Sequence, residues 1–441
     1  MNTITTTVQR IVFYALLFLS SAVLGQTDGY FISNGKDIHA RTFDLEIEQL
    51  MSELGIPALS VAILEDGKTA YTNVYGYKKM GSDDAADLHT AFEACSLSKI
   101  FLVFSVYKLV DKGMLDLDVP LYNYHGRYKP LMHDKRYKKI TARMILSHTS
   151  GIENWTSEND PKVLEILEEP GKTFIYSGEG FLYLTEVMEH LLDESFSDFT
   201  NRLVLEPLGL KDTYMWVSDQ GDQNKAAALF TTSNYVTGHD IFGNVMAKAM
   251  DYDADKLPAS YMHTTAADYA KLVLSFFDKQ TFSETIHKEM LESLVLLQPL
   301  DNFSVYTGPG FSVLRFPKED LLFFNGSNSG FKSTVIYSAQ NQRGFIFFTN
   351  SDSGKRLMYK INQLTTEFDL ELENGNPDMY PNTPWVLFHV YRRKGSEALF
   401  RKLDYLKGKN MLHSGELEEL ASILSRKDGD LSEKVRQYLD Q

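Results

Sequence analysis

Apolar residues at Phe43, Ile47, Leu50, Met51 and Leu54 recur on one face of a 3.6-residue repeat, and Gly55 closes the pattern. The spacing predicts an amphipathic helix. The period then changes: "ALSVAILEDGKTAYTNVYG" reads as two strands joined by an Asp66-Gly67 turn. Ile100 to Phe104 are apolar nearly all round, which predicts a helix through the middle of the domain, with Gly113 as its stop. From about residue 115 to 300 the pattern is mainly helical with long loops. Beyond it come "FSVLRF", "LLFFN", "STVIYS" and "GFIFFTN", each bounded by Gly, Asn or Ser, an antiparallel set of strands. A helix is expected over roughly 354 to 369.

Strands at both ends of the chain enclose a helical middle, so one sheet is expected to gather both sets. That is an α+β fold of α/β sandwich type: an antiparallel sheet flanked by helices, with a mainly helical inserted subdomain. Residues 371 to 441 differ in character. "NGNPDMYPNTP" has the composition of a linker. "WVLFHVYRRKGSEALFRKLDYLK" and "ELEELASILSRK" read as amphipathic helices of a small C-terminal extension. At the other end, Arg10 precedes the apolar run "IVFYALLFLSSAVL", and small residues lie near Gly25. Residues 1 to 25 thus read as a secretory signal. The expected organisation is a leader over 1–25, a main domain over 26–370 and a linker with helical extension over 371–441. Beyond the leader no stretch is apolar and long enough to span a bilayer, so a periplasmic or secreted protein is expected.

Composition narrows the function. Apolar residues make up 43% and charged residues 23% of 441 positions, an ordinary globular balance. The net charge of -15 repels phosphate backbones, which argues against nucleic acid as a partner. Cys95 is the only cysteine, so neither an intrachain disulfide nor a thiolate metal cage can form. "DYDADK" at 251–256 imitates a calcium loop but lacks its sixth-position glycine.

The chemistry gathers in "FEACSLSKIFL", residues 92 to 102. Residues three apart share a helix face, so Ser96 and Lys99 are neighbours, whereas Ser98 points elsewhere. A serine hydroxyl becomes nucleophilic only with a base beside it. A lysine serves when burial favours its neutral form. At a helix N-terminus, free N–H groups and the dipole also favour a developing oxyanion at Ser96. S-x-x-K alone occurs widely by chance; it gains meaning from what lies downstream.

Five collinear segments resemble the serine β-lactamase-related family, which covers class C β-lactamases, D-alanyl-D-alanine carboxypeptidases and related esterases. They are "FEACSLSKIFL", "ITARMILSHTSGI", "FIYSGEGFLYLTEVMEHLL" with "LVLEPLGLKDTYMW", "PASYMHTTAADYAKLV" and "FNGSNSGFKS", between about residues 43 and 370. The resemblance implies Ser96 as nucleophile, Lys99 and Tyr176 as proton carriers, and Gly326 and Ser327 on the strand facing the nucleophile. The Ser327 N–H would join that of Ser96 as an oxyanion donor. His148 to Gly151 read as a structural turn. No metal or organic cofactor is required, and the expected partner is a small ester or amide.

Two positions depart from the family pattern. The second motif, usually Tyr-x-Asn, is Tyr176-Ser177-Gly178, without the amide that would grip a substrate amide. The third usually begins with Lys or His and is here Phe324-Asn325-Gly326, without the cation that helps bind a substrate carboxylate. Lys332 is a candidate replacement for that charge, and Glu179 by default faces solvent. The reading is an exported serine hydrolase working through an acyl-enzyme on Ser96. Its rivals are a D-Ala-D-Ala carboxypeptidase or β-lactamase, and a non-catalytic penicillin-binding-like sensor.

Overall fold

The structure, a computed structural model, describes residues 29–441 apart from 156–162, 216–233, 247–256, 293, 300–302, 371–382, 409–413, 426–427 and 439–441. The leader, the "DYDADK" run and the "NGNPDMYPNTP" linker up to residue 382 therefore lie outside the described residues.

The described residues form twelve strands. A small hairpin, β1 (Tyr30–Ser33) with β2 (Lys36–His39), turns at Asn34-Gly35. The main sheet has eight antiparallel strands: β3 (Ala58–Glu65), β4 (Lys68–Gly76), β7 (Val295–Pro299), β8 (Ser304–Thr307), β9 (Ser312–Arg315), β10 (Asp320–Asn328), β11 (Phe331–Ser338) and β12 (Arg343–Thr349). Their order across the sheet is β4-β3-β12-β11-β10-β9-β8-β7. Strand β3 thus pairs with the last strand, β12, from Leu59 opposite Thr349 to Leu64 opposite Gly344. β5 (Phe92–Glu93) and β6 (His263–Thr264) form a separate short pair beside the nucleophile segment.

Both faces of the central strands β3, β12 and β11 are buried, which explains near-continuous apolar runs where a half-exposed strand would alternate. Ala62, Leu64, Val335, Ile346 and Phe348 point into the larger core, among the helices of the inserted part. Val61, Ile63, Ile336, Phe345 and Phe347 point the other way, onto helices Ala40–Leu54 and Leu357–Leu364. The first of these is the amphipathic helix expected from the sequence, ended by Gly55 in the left-handed conformation. The second follows a short 3₁₀ turn and stops at Leu364, five residues before the expected end.

The middle of the chain is less helical than expected. Helices Gly178–Leu192 and Ala266–Ser275 are regular, but much of 115–210 is short 3₁₀ and α turns. Helix Lys99–Asp111 fulfils its expectation: Ile100 to Phe104 are all fully buried in the larger core. In the C-terminal region, helices Thr383–Gly408, Ser414–Ser425 and Gly429–Gln437 build their own apolar cluster around Leu387, Leu399, Leu403, Leu420 and Leu424. Thr383–Gly408 is broken at Gly395, whose φ of 81° interrupts the helix. The cluster takes in Phe242 from the preceding region, packed edge-on against Phe388 at 5.0 Å.

Candidate active site

The α-helix begins at Lys99, and Ser96 lies just before it, in a 3₁₀ turn over Cys95–Ser98. Residues three apart eclipse in a 3₁₀ turn, so the turn still aligns Ser96 with Lys99. Cys95 holds a φ of 54°, a left-handed conformation that a side-chain-bearing residue adopts only where its surroundings over-determine it. Those surroundings are specific. Ser98 Oγ donates to Cys95 O at 2.6 Å and accepts from Met262 N at 3.0 Å. Ser333 Oγ on β11 donates to Ala94 O at 2.8 Å. The Cys95 thiol is fully buried, and that burial pushes its pKa well above the usual thiol value, so it is an inert packed group.

Ser96 is the half-buried member of this turn and faces Tyr176, whose hydroxyl donates to Ser96 Oγ at 2.8 Å. Lys99 is 1% exposed, and its Nζ donates to the carbonyl of Ala259 at 2.7 Å. The same nitrogen stands 5.0 Å from the centre of the Tyr176 ring and 5.5 Å from that of Phe181. Burial lowers its pKa below the usual lysine value, and Tyr176 opposes that shift in part. Three residues named from the sequence, Ser96, Lys99 and Tyr176, therefore meet at one point.

The other two sit on the facing strand. Gly326 on β10 is buried against the nucleophile turn. A Cβ built on it would fall 2.7 Å from Ala94 O and 2.8 Å from Cys95 Cβ. Only glycine lets the strand approach this closely. Ser327 follows it and is exposed. The end of β10 is fixed by Asn328, whose side-chain amide donates to the Glu93 carboxylate and, at 3.2 Å, to Ser260 O. Phe324, on the same strand face as Gly326, is partly buried against the larger core. Lys332 does not restore a free cation there. Its Nζ is 2.5 Å from Asp352 and also donates to the carbonyls of Asn328 and Phe331.

Several residues have places in this site that the sequence did not assign to them. His148, read as part of a turn, lies against the Tyr176 ring at 4.3 Å, and its Nδ1 accepts the Ser177 N–H at 3.1 Å. Burial, with Lys99 nearby, lowers its pKa to about 3, so it stays neutral and acts as a support for Tyr176. Glu179 corrects the expectation of a solvent-facing side chain: it is buried in the first turn of helix Gly178–Leu192. A carboxylate there suits the positive end of the helix dipole. Asn154 accepts the Gly178 N–H on its side chain at 2.9 Å and the Glu179 N–H on its carbonyl at 3.1 Å. Among the described residues no group of His, Cys, Asp and Glu could hold a metal ion.

A hydroxyl bonded to a phenol, beside a buried amine and under a close-packed strand edge, is an arrangement suited to acyl transfer. Comparison with known proteins gives the family and the fold. The chain is 23% identical over 335 residues to Protein flp of Staphylococcus aureus (strain MW2), covering 70% of this chain and 63% of that one. It thus spans less than two-thirds of the length of this curated relative. The fold is shared with a penicillin-binding protein homologue, described as octameric, from Pyrococcus abyssi (TM-score 0.59, 21% identity, covering 74% of this chain and 77% of that one). It is shared also with a class C beta-lactamase (TM-score 0.59, 18% identity, covering 76% and 96%). The family model described as Beta-lactamase matches residues 43–367, so the chain belongs to the beta-lactamase family, on the serine beta-lactamase/transpeptidase fold.

Proposed function

We propose that this protein is an exported serine hydrolase that cleaves a small ester or amide lacking a carboxylate, through an acyl-enzyme on Ser96. The observation that carries the reading is the 2.8 Å hydrogen bond from Tyr176 to Ser96 Oγ with buried Lys99 behind the phenol. In the reaction, Ser96 Oγ attacks the carbonyl carbon and its proton passes to the Tyr176–Lys99 pair. The lowered pKa of Lys99 supports its neutral form as acceptor. The carbonyl oxygen gains the negative charge and is held by the N–H groups of Ser96 and Ser327. Collapse breaks the bond to the leaving alcohol or amine, which takes the proton. Water then attacks the acyl-enzyme, giving its proton to the same pair, which returns it to Ser96 Oγ as the bond between that oxygen and the acyl carbon breaks and the acid leaves.

Substrate class follows from what faces the nucleophile. Phe324 stands where the family pattern has a cation, and Asp352 neutralises Lys332. A lost charge-assisted hydrogen bond typically costs about 1.5–3 kcal/mol. A substrate carboxylate therefore gains little in this site, and a neutral acyl compound loses nothing. A small molecule remains the proposed partner, with no metal or organic cofactor. Placement in the periplasm or outside the cell rests on the leader-like residues 1–25 and is tested by the N-terminal sequence of the mature protein.

Labelling with a fluorophosphonate, read by intact mass, tests the mechanism. A single adduct is expected on the parent and on Ser98→Ala, and none on Ser96→Ala. An adduct surviving in Ser96→Ala would sink the assignment. A parent that neither labels nor turns over any ester would favour the non-catalytic sensor.

A further inference from the structure

Gly178 opens helix Gly178–Leu192, two residues after Tyr176. A Cβ built on it would lie 2.3, 2.5 and 2.7 Å from Cη2, Cζ2 and Cζ3 of Trp155. No residue with a side chain fits at 178 while the indole stays in place. The six-membered edge of Trp155 thus occupies the space into which a side chain of the second motif would project.

The chain leading into the indole is held in place. The Asn154 carbonyl accepts from Gly178 N at 3.2 Å and Glu179 N at 3.1 Å, and its side-chain oxygen accepts from Gly178 N at 2.9 Å. One residue earlier, the Glu153 carbonyl accepts from Ser177 Oγ at 2.8 Å. Residues 153 and 154 are therefore tied to 177–179, and Trp155 is half-buried against the larger core. The exchange is one of chemistry: a hydrogen-bonding amide is replaced by a flat apolar surface next to the tyrosine that touches the nucleophile. Phe324 makes the corresponding exchange on the facing strand.

We propose that Trp155 is the specificity-determining residue of this site, an apolar wall that selects an ester or amide with an apolar acyl group. This deepens the hydrolase reading above and rests on it. An acyl chain laid along the indole replaces water on an apolar surface, worth roughly fourfold in kcat/KM for each methylene buried. An acyl group bearing its own amide gains no partner there and leaves that amide unpaired.

The test compares p-nitrophenyl acetate, butyrate and hexanoate on the full chain and its Trp155 variants. The parent should favour hexanoate over acetate in kcat/KM by about tenfold or more, and Trp155→Phe should keep most of that ratio. Trp155→Ala should lower the ratio about tenfold; if it does not fold, Trp155→Gln, polar and nearer in volume, reads the same quantity. Gly178→Asn should be tolerated only together with Trp155→Ala, judged by thermal melting. Fluorophosphonate labelling runs on every variant. Labelled protein whose chain-length ratio is unmoved by Trp155→Ala or Trp155→Gln overturns the role of Trp155 and leaves the hydrolase intact. A parent that takes no label overturns the underlying reading instead.

Discussion

Gly326→Ala is the most revealing single change, because its cost can be worked from the structure. The added methyl would sit 2.2 Å from Ser333 Oγ, 2.7 Å from Ala94 O and 2.8 Å from Cys95 Cβ. Ser333 is a short side chain and can rotate away, but only by giving up its bond to Ala94 O. The other two contacts belong to the nucleophile turn, and Cys95 already holds a left-handed φ with little freedom to yield. Strand and turn must then part by roughly 0.6 Å to regain ordinary contact distance. Overpacking of this kind costs about 1–3 kcal/mol in stability, a fall of a few degrees in Tm. The greater cost is kinetic. The displacement carries the Ser327 N–H away from the oxyanion, and loss of one such donor typically lowers kcat about 10²–10³-fold. Steady-state hydrolysis of a p-nitrophenyl ester with parallel melting measures both. KM should move little. Adding Ser333→Ala removes the shortest contact alone, so rescue should be partial. The reasoning is refuted by a Gly326→Ala protein with kcat within about threefold of the parent, or by full rescue from Ser333→Ala.

The remaining predictions concern charge and the C-terminal region. Lys99→Met should abolish ester turnover yet raise Tm at neutral pH. The native state depresses the Lys99 pKa, so unfolding takes up a proton, and the penalty fades as pH rises toward the ordinary lysine value of 10.5. The Tm gap between parent and variant should close along the same path, and kcat/KM of the parent should rise with pH through a limb below 10.5. His148 is neutral in the fold with a pKa of about 3 against 6.5 when free. Its share of stability is therefore lost as pH falls from 6.5 toward 3, and His148→Gln should melt with a shallower acid dependence over that window. Phe324→Lys should raise kcat/KM for a carboxylate-bearing substrate such as nitrocefin about tenfold or more relative to a neutral ester; an unchanged ratio would remove Phe324 from the specificity argument. A chain ending at residue 370 should keep ester hydrolysis but melt a few degrees lower, since Phe242 loses Phe388; an unfolded product would make the helical extension part of the catalytic body.

The parts legible in the sequence were those where one residue type answers one physical demand. The apolar runs at 321–325, 333–338 and 344–350 mark strands because both sheet faces are buried. Ser96 and Lys99 were legible because their spacing survives the change from α to 3₁₀ geometry. The strands β7 and β8 were missed: Val295 and Leu296 are exposed on the sheet edge, so burial leaves no pattern in them. The β1–β2 hairpin, in contrast, carried an Asn34-Gly35 turn signal that could have been read. The contacts of His148, Asn154 and Trp155 with the site were illegible for another reason. They act by touching Tyr176 and residues 178–179 across more than twenty positions of chain, and no local rule encodes such contacts. The empty side chain of Gly178 looked like a loss; only the fold shows that an indole fills it.

The pairing of β3 with β12 also sets a timetable. During synthesis the nucleophile turn is made early, but β3 and β4, paired with each other, join the rest of the main sheet when Arg343–Thr349 emerges. Until then the growing chain can form local helices and two separate sets of strands, β3 with β4 and β10 with β9 and β11, not yet joined into one sheet. Contacts so far apart in sequence form late and slowly. A product interrupted before Arg343, on the ribosome or by a protease, would carry Ser96 and Gly326 without the strand that joins their two sets into one sheet. The site therefore comes into being in a single late step, after which both ends of the domain hold it closed.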